Sequence, residues 1–248
     1  MPSTRGKRVV RWTLLSLLIV VVLVVAGTVV WSQVGVLTAE PGPLAEAESN
    51  PALVIEDAPE GIVMTPADGE SAQGLVFVPG GKVQAEAYVA ILQDVVVEHD
   101  ITVVITRPWL NLAFFDLRGL DSFTSAAPDI DTWMVGGHSL GGVRACQLAG
   151  SADALVLFGS YCANDLSDTD LAVLSLSGSE DGLSTPQKIA DARHLLPVDA
   201  QLVEIEGASH SSFGDYGPQA GDGTPTISDA DMRAEVRDLV GSLSDRLG

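Results

Sequence analysis

The feature that most constrains the fold of this chain is a short turn around one serine, Gly137-His138-Ser139-Leu140-Gly141. The apolar run 132–136 before it is typical of a buried strand, and 140–149 after it has the apolar spacing of a helix. Small residues on both sides of a serine allow a strand to turn sharply into a helix, which exposes the serine hydroxyl at the edge of a sheet. The pattern therefore predicts a strand–turn–helix unit with Ser139, a candidate nucleophile, at its tip.

The rest of the chain beyond about residue 61 alternates between apolar runs of strand length and segments with helical spacing. Because strands buried on both faces read as continuous apolar runs, this alternation predicts a mostly parallel sheet with helices on both faces, an α/β domain over 61–248. The predicted strands are 74–79, 101–106, 132–136, 154–159, 171–177 and 201–206, and the predicted helices are 84–99, 112–120, 140–149, 186–196 and about 228–247.

Two further side chains complete the set that a serine nucleophile requires. The serine needs a base to accept its proton and an acid to orient that base, and loops that follow strands of a parallel sheet can bring such side chains together. Asp181 follows a predicted strand, with Glu180 as the second candidate, and His210 follows the last predicted strand. An idle serine, a turn-forming Asp181 and a solvated His210 are the structural alternatives.

Backbone amides must also stabilise the oxyanion that forms during acyl transfer. One predicted donor is the amide of Leu140, and the other is Gly81 or Lys82 in the loop Pro79-Gly80-Gly81-Lys82. This Gly-Gly-Lys lacks the spacing of a phosphate-binding loop. The sequence shows no cluster with metal-ligand spacing, and no cofactor is expected.

The charge of the chain is strongly asymmetric. It has 13 basic and 33 acidic side chains, and Arg5, Lys7, Arg8 and Arg11 precede residue 12. Without these four, 9 basic side chains face 33 acidic ones, a net charge of −24. Nucleic-acid binding requires clustered basic residues, so the composition excludes it as a function of the domain. A solubilising role is the simplest interpretation of the acidic surface.

The run Trp12 to Trp31 is almost entirely apolar and long enough to span a bilayer core of about 30 Å as a helix. The sequence predicts a basic cytoplasmic tail over 1–11, a transmembrane anchor over 12–31 and a Pro-, Ala- and Glu-rich stalk over 32–60 with one short strand at its end. The domain would then face outward. The alternative is a cleaved signal peptide and a secreted domain, although the run is long for one.

Cys146 and Cys162 are the two cysteines of the chain. In an oxidising compartment they permit one disulfide, and two buried thiols are the alternative, because spacing alone does not place them within bridging distance.

These motifs together resemble the α/β-hydrolase superfamily. Within it, Pro-Gly-Gly-Lys at 79–82 is similar to a compact group related to dienelactone-hydrolase-like esterases, as are 110–115, 163–167 and 213–219. The resemblance covers about residues 60 to 247 and implies a Ser139–His210–Asp181 triad. Pro79 departs from the histidine that many relatives carry before the oxyanion glycine.

Larger relatives insert a helical cap between two late strands, where this chain has only residues 160–170. An open, shallow site and a small or short-chain ester are therefore expected, with Trp109, Leu110 and Tyr161 as candidate pocket residues. The leading hypothesis is a membrane-tethered serine esterase. An acyltransferase that uses the same acyl-enzyme and a non-catalytic envelope protein on a hydrolase scaffold are the alternatives.

Overall fold

The computed structural model describes residues 4–69 and 71–248 and contains one eight-stranded sheet. The strand order across the sheet is β1-β2-β4-β3-β5-β6-β7-β8. β1 and β2 pair antiparallel at one edge, β2 joins β4 antiparallel, and all further neighbours are parallel. The strands are β1 Leu53–Asp57, β2 Gly61–Pro66, β3 Gln73–Val78, β4 Ile101–Thr106, β5 Thr132–His138, β6 Ala154–Phe158, β7 Ala172–Gly178 and β8 Gln201–Ile205.

Helices cover both faces of this sheet, as the alternating pattern predicts. One buried apolar cluster lies between the sheet and α3 and α7, and a second lies between the other face and α5. The α-helices are α1 Thr4–Gln33, α2 Pro41–Glu48, α3 Val89–His99, α4 Asp121–Thr124, α5 Leu140–Leu148, α6 Pro186–Asp191 and α7 Asp229–Ser244. Since β3 to β8 are parallel, the loops that follow them lie along one edge of the sheet.

The segment 32–60 differs from the expected stalk because it is packed on the domain. Leu37 forms a parallel bridge with Val83, the side chain of Ala47 on α2 is fully buried, and β1 belongs to the sheet. A stalk was expected because four prolines stand among alanine and glutamate, but the apolar residues of the segment fill positions at the sheet edge. The domain that packs together therefore begins before residue 61.

The expected helix over 112–120 is also absent. A short 3₁₀ turn at Ala113–Phe115 is followed by irregular backbone until α4. Leu110 and Asn111 adopt positive φ values of 58° and 55° just before it, so the chain turns instead of entering a helix.

α1 contains the apolar run and extends beyond it in both directions. Residues Gly6–Gln33 form a helix that is long and apolar enough to cross a membrane, and its apolar run is exposed. A signal sequence passes the same test of length and composition. Residues 1–3 of the expected cytoplasmic tail lie outside the described residues, and the remainder continues the helix.

Cys146 on α5 and Cys162 in the segment after β6 form a disulfide, with their Cα atoms 5.5 Å apart. This bond attaches the segment between β6 and β7 to the helix that begins directly after Ser139. No helix or strand interrupts residues 159–171, so the connection between β6 and β7 is short and irregular, as the sequence predicts.

Candidate active site

Ser139 occupies the sharp turn between β5 and α5 in a strained conformation. Its φ of 52° and ψ of −121° are rare for a residue with a side chain and cost about 1–3 kcal/mol. The turn brings Gly141 against the end of β3, where an added Cβ would lie 2.0 Å from the carbonyl oxygen of Val78. Only glycine fits this approach, which explains why the sequence requires it two residues after the serine.

His210 and Asp181 form a buried pair at the same edge of the sheet. His210 Nδ1 lies 2.8 Å from Asp181 Oδ2, and both side chains are almost fully excluded from solvent. The other carboxylate oxygen, Oδ1, accepts the amides of Leu183 and Ser184 at 2.8 and 2.7 Å. These bonds hold the carboxylate in the orientation that faces the imidazole. Glu180, the second candidate for the acid, is exposed.

The loop after β6 links this pair to the serine. The amide of Ser139 donates to the carbonyl of Phe158 at 3.0 Å, and the hydroxyl of Ser160 donates to the carbonyl of Ser139 at 2.6 Å. Between them, Gly159 has a φ of +48° and an added Cβ would lie 3.1 Å from Asp181 Oδ2 and 3.2 Å from His210 Nδ1. Among the described residues, no hydrogen bond joins Ser139 Oγ to His210. Such bonds are often long in free enzymes and shorten with substrate.

His138 is a second histidine at this site, and its ring centroid lies 4.4 Å from that of His210. Its Nδ1 lies 2.9 Å from the hydroxyl of Tyr88, which also accepts the amide of Gly80 at 2.9 Å. Burial lowers the pKa of His138 well below its usual 6.5, and the charge of His210 lowers it further. The backbone of His210 raises this pKa, but by less. Burial raises the pKa of Tyr88, so its phenol stays protonated and can donate to Nδ1. The sequence pattern did not indicate this contact between the serine turn and the Gly80 loop.

The two candidate oxyanion donors in that loop are not equivalent. The amide of Lys82 donates to the carbonyl of Asn111 at 2.8 Å, which occupies it. Gly81 lies against the helix that follows Ser139, because a Cβ added to it would lie 3.2 Å from Leu140 Cδ2. Leu140 is the first residue of α5, and amides in a first helical turn have no partner within the helix. Gly81 and Leu140 therefore come together, and Lys82 is directed elsewhere.

Asp222, in the loop between His210 and α7, is a further residue that contacts this region. Its carboxylate accepts the amides of His210 at 3.0 Å, Ser211 at 2.8 Å and Gly182 at 3.1 Å, as well as its neighbour Gly223 at 2.7 Å. Burial tends to raise its pKa, but these four amide bonds lower it below the usual value. Asp222 thus connects the loop that carries His210 to the loop that carries Asp181. No local sequence signal marks it.

The three candidate pocket residues lie in the two segments that flank the serine turn. Trp109 and Leu110 belong to the loop after β4, which contacts the Gly81–Lys82 loop through Asn111. Tyr161 lies between Ser160 and the disulfide-bonded Cys162. Trp109 and Tyr161 are exposed and Leu110 is half-buried. In the described part of the chain, no three His, Cys, Asp or Glu side chains are placed to hold a metal ion.

Comparison with known proteins agrees with this architecture. A sequence model described as "Alpha/beta hydrolase family" matches residues 74–234, about two thirds of the chain. The chain belongs to the α/β hydrolase family. The matched range contains the serine turn, Asp181 and His210, and membership makes the protein a hydrolase of this family. No curated protein matches the chain.

Among solved structures, this α/β hydrolase resembles the esterase domain of a protein from Rhodothermus marinus. The two superpose with a TM-score of 0.58 at 17% sequence identity, over 75% of this chain and 92% of that one. At this identity the likeness shows the shared fold.

Proposed function

We propose that this hydrolase cleaves carboxylic esters with Ser139 as nucleophile, His210 as general base and Asp181 as the acid that orients the base. The observation that carries the proposal is the buried 2.8 Å contact between His210 Nδ1 and Asp181 Oδ2 beside the strained Ser139 turn. A carboxylate on Nδ1 favours the tautomer whose Nε2 is free to accept a proton, and it stabilises the imidazolium that then forms.

The reaction proceeds in two steps, formation of an acyl-enzyme and its hydrolysis. Ser139 Oγ attacks the ester carbonyl while His210 accepts the hydroxyl proton, and the tetrahedral intermediate then expels the alcohol, which receives that proton. Water, deprotonated by His210, attacks the acyl-enzyme in the same way and releases the carboxylic acid and free Ser139. Asp181 accepts no proton in either step.

The oxyanion of each intermediate would be held by the amides of Gly81 and Leu140. Support for Gly81 over Lys82 comes from the 2.8 Å bond that occupies the Lys82 amide, and from the contact of Gly81 with the Leu140 side chain. A donor that is already fixed in place stabilises developing charge without reorganisation at the moment of reaction.

The short connection between β6 and β7 favours an acyl pocket that encloses little of the substrate, with Trp109, Leu110 and Tyr161 at its rim. An uncapped acyl-enzyme also admits alcohols, which makes acyl transfer the second candidate activity. Adding a primary alcohol during turnover separates the two: a hydrolase yields mainly the acid, and an acyltransferase yields mainly the new ester.

The domain is proposed to lie outside the cell membrane, anchored by a single span. The basic residues before the apolar run favour a cytoplasmic N-terminus. The disulfide between Cys146 and Cys162 supports an oxidising compartment for the domain, because such bonds rarely persist in the cytosol. Secretion after signal cleavage is the competing localisation, and detection of α1 in the mature membrane-bound protein by mass spectrometry would exclude it.

The test uses the full chain in detergent micelles, because residues 32–60 pack on the domain. Wild-type protein should hydrolyse p-nitrophenyl acetate and react with a fluorophosphonate probe at Ser139. Ser139→Ala should abolish labelling and lower kcat by about 10⁴-fold or more, while Ser151→Ala, on an exposed turn, should change neither. Folded wild-type protein that neither turns over nor labels would refute the proposal and favour a binding role.

A further inference from the structure

The loop between β4 and α4 exposes an unusual amount of apolar surface. Within nine residues it presents Trp109, Phe114, Phe115 and Leu117 with exposed fractions of 55%, 48%, 45% and 78%. Single exposed apolar side chains are normal on soluble proteins, whereas a contiguous group marks an interaction surface. Residues 107–118 are called the aromatic loop below.

The aromatic loop lies between the end of α1 and the proposed catalytic serine. Asn111 Nδ2 donates to the carbonyl of Ser32 in the last turn of α1 at 3.2 Å, and its own carbonyl accepts the Lys82 amide. On its other side, the Ala113–Phe115 turn contacts α5, the helix that begins after Ser139. One loop therefore touches the anchor, the proposed oxyanion loop and the nucleophile helix.

The end of α1 is fixed to the domain rather than connected through a flexible tether. Lys82 Nζ donates to the carbonyls of Trp31 at 2.9 Å and Val34 at 3.2 Å, and it lies 3.7 Å from the centre of the Trp31 ring. A cation is favourable at a helix C-terminus, where the last carbonyls have no partner in the helix. The residue next to the proposed oxyanion glycine thus caps the helix that leaves the membrane.

Because the end of α1 is fixed to the domain, the position of α1 in the bilayer determines how deep the aromatic loop lies. The 28 residues of Gly6–Gln33 extend about 42 Å, longer than a hydrocarbon core of about 30 Å, so the last turn reaches the interface. Tryptophan and lysine prefer that region of a bilayer, and Trp31 and Lys82 occupy it together. Because Asn111 binds Ser32, the aromatic loop lies at the same level.

Charge does not oppose contact between this face and a bilayer. The domain is strongly acidic overall, but Arg107 pairs with Asp57 and Glu86, and Arg118 pairs with Asp116. These two arginines and three carboxylates carry a net charge of only −1, compared with −24 for the chain beyond residue 11, so the aromatic loop can approach lipid head groups without strong repulsion.

We propose that the aromatic loop inserts into the outward-facing interface of the cell membrane and that the hydrolase acts on amphiphilic esters dissolved in the bilayer. The inference rests on the ester hydrolysis proposed above and extends it to a substrate class. The apolar chain of such an ester stays in the lipid beside Phe114 and Leu117, and only the ester group moves to Ser139. An uncapped site that encloses little of the substrate suits this arrangement, because the membrane takes the place of an apolar pocket.

The activity test uses the full chain in phosphatidylcholine vesicles with two esters of one fluorogenic alcohol, 4-methylumbelliferyl acetate in the water and 4-methylumbelliferyl oleate in the bilayer. The double variant Phe114→Ser with Leu117→Ser should lower kcat/KM for the oleate about tenfold and change that for the acetate less than about twofold. Val198→Ser, at a distant position that is 93% exposed, is the matched control and should change neither.

A second measurement reports insertion without any need for activity. An environment-sensitive fluorophore on Leu117→Cys should shift to the blue in vesicles and be quenched by lipids spin-labelled at the head group, whereas the same fluorophore on Val198→Cys should not. Equal quenching at both positions, or an unchanged oleate rate in the double variant, would overturn the inference. Hydrolysis of the acetate alone by wild type would overturn it and leave the proposed function intact. Hydrolysis of neither ester would overturn both.

Discussion

His138 and His210 are two buried histidines whose rings lie 4.4 Å apart, yet their surroundings prepare them for opposite chemistry. His210 Nδ1 meets a carboxylate, Asp181, whose second oxygen is held by two backbone amides. His138 Nδ1 meets a phenol, Tyr88, and its Nε2 is buried without a hydrogen-bond partner among the described residues. The difference lies in the group opposite Nδ1.

The two rings lie side by side, so the chemistry of their partners distinguishes them and their location does not. Burial penalises the charged form of the His138 imidazole, and neither its neutral partner Tyr88 nor the His210 backbone offsets that penalty. A carboxylate partner can offset it. His138 therefore remains neutral and structural, joining the serine turn to Tyr88 and the Gly80 loop, while His210 is the proposed base. Four predictions test this contrast.

The largest effect is expected from removing each ring in turn. His210→Gln should lower kcat/KM for p-nitrophenyl acetate by about 10⁴-fold or more, because the serine would lose its proposed base. His138→Gln should cost no more than about 100-fold, through misplacement of the serine turn. His194→Gln, at an exposed surface position, should leave kcat/KM unchanged. Equal losses at His138 and His210 would break the comparison.

Removing the Nδ1 partner of each histidine sharpens the contrast. Asp181→Asn should lower kcat by about 10³- to 10⁴-fold, because an amide holds the wrong tautomer and does not stabilise the imidazolium. Tyr88→Phe should lower kcat no more than about tenfold, since it removes a hydroxyl that fixes the Gly80 amide and His138 but carries no proton in the reaction. A stopped-flow comparison of the two rates is decisive, and a larger loss for Tyr88→Phe would contradict the assignment.

Asp222 supports only one of the two histidines, since its carboxylate accepts the amide of His210 and, among the described residues, forms no hydrogen bond with His138. Asp222→Asn should lower kcat about tenfold with little change in KM, because an amide group cannot accept all the N–H bonds that now position His210. The pH dependence of kcat should shift as well, which a purely structural role would not cause. Asp168→Asn on an exposed loop is the control, and a changed KM with constant kcat would refute the positioning role.

The smallest expected effect concerns stability at acid pH. The pKa of His138 is lower in the folded protein than its usual 6.5, so below that pH the unfolded chain binds more protons than the folded one. This contribution to stability is complete above pH 6.5 and is lost as the pH falls, by at most about 1.4 kcal/mol per pH unit. Urea unfolding of wild type and His138→Gln at pH 7.5 and 5.5 should show a smaller acid loss in the variant. Identical losses would show that His138 is not the titrating group.

Much of the fold and the set of candidate residues could be predicted from the sequence because those patterns are local. The continuous apolar strands, the helical spacing of 84–99 and the glycines around Ser139 act over a few residues, since they reflect burial and turn geometry within one segment. Ser139, Asp181 and His210 could be selected from the same alternation, because each lies just beyond a strand of a parallel sheet and such ends share one edge.

What the tertiary structure decided depends on partners far apart in the chain. The carbonyl of Asn111 takes the amide of Lys82 and leaves Gly81 as the proposed donor, and no pattern near residue 82 indicates this. Likewise, the segment 32–60 packs because β2 offers it a free edge, and α1 ends on the domain because Lys82 caps it. The sequence by itself thus determined the central strands, most of the helices that cover them and the three side chains that follow strand ends, Ser139, Asp181 and His210. The tertiary structure decided which amides stay free, which histidine has a carboxylate and where α1 meets the domain, since these depend on through-space contacts that no local sequence pattern encodes.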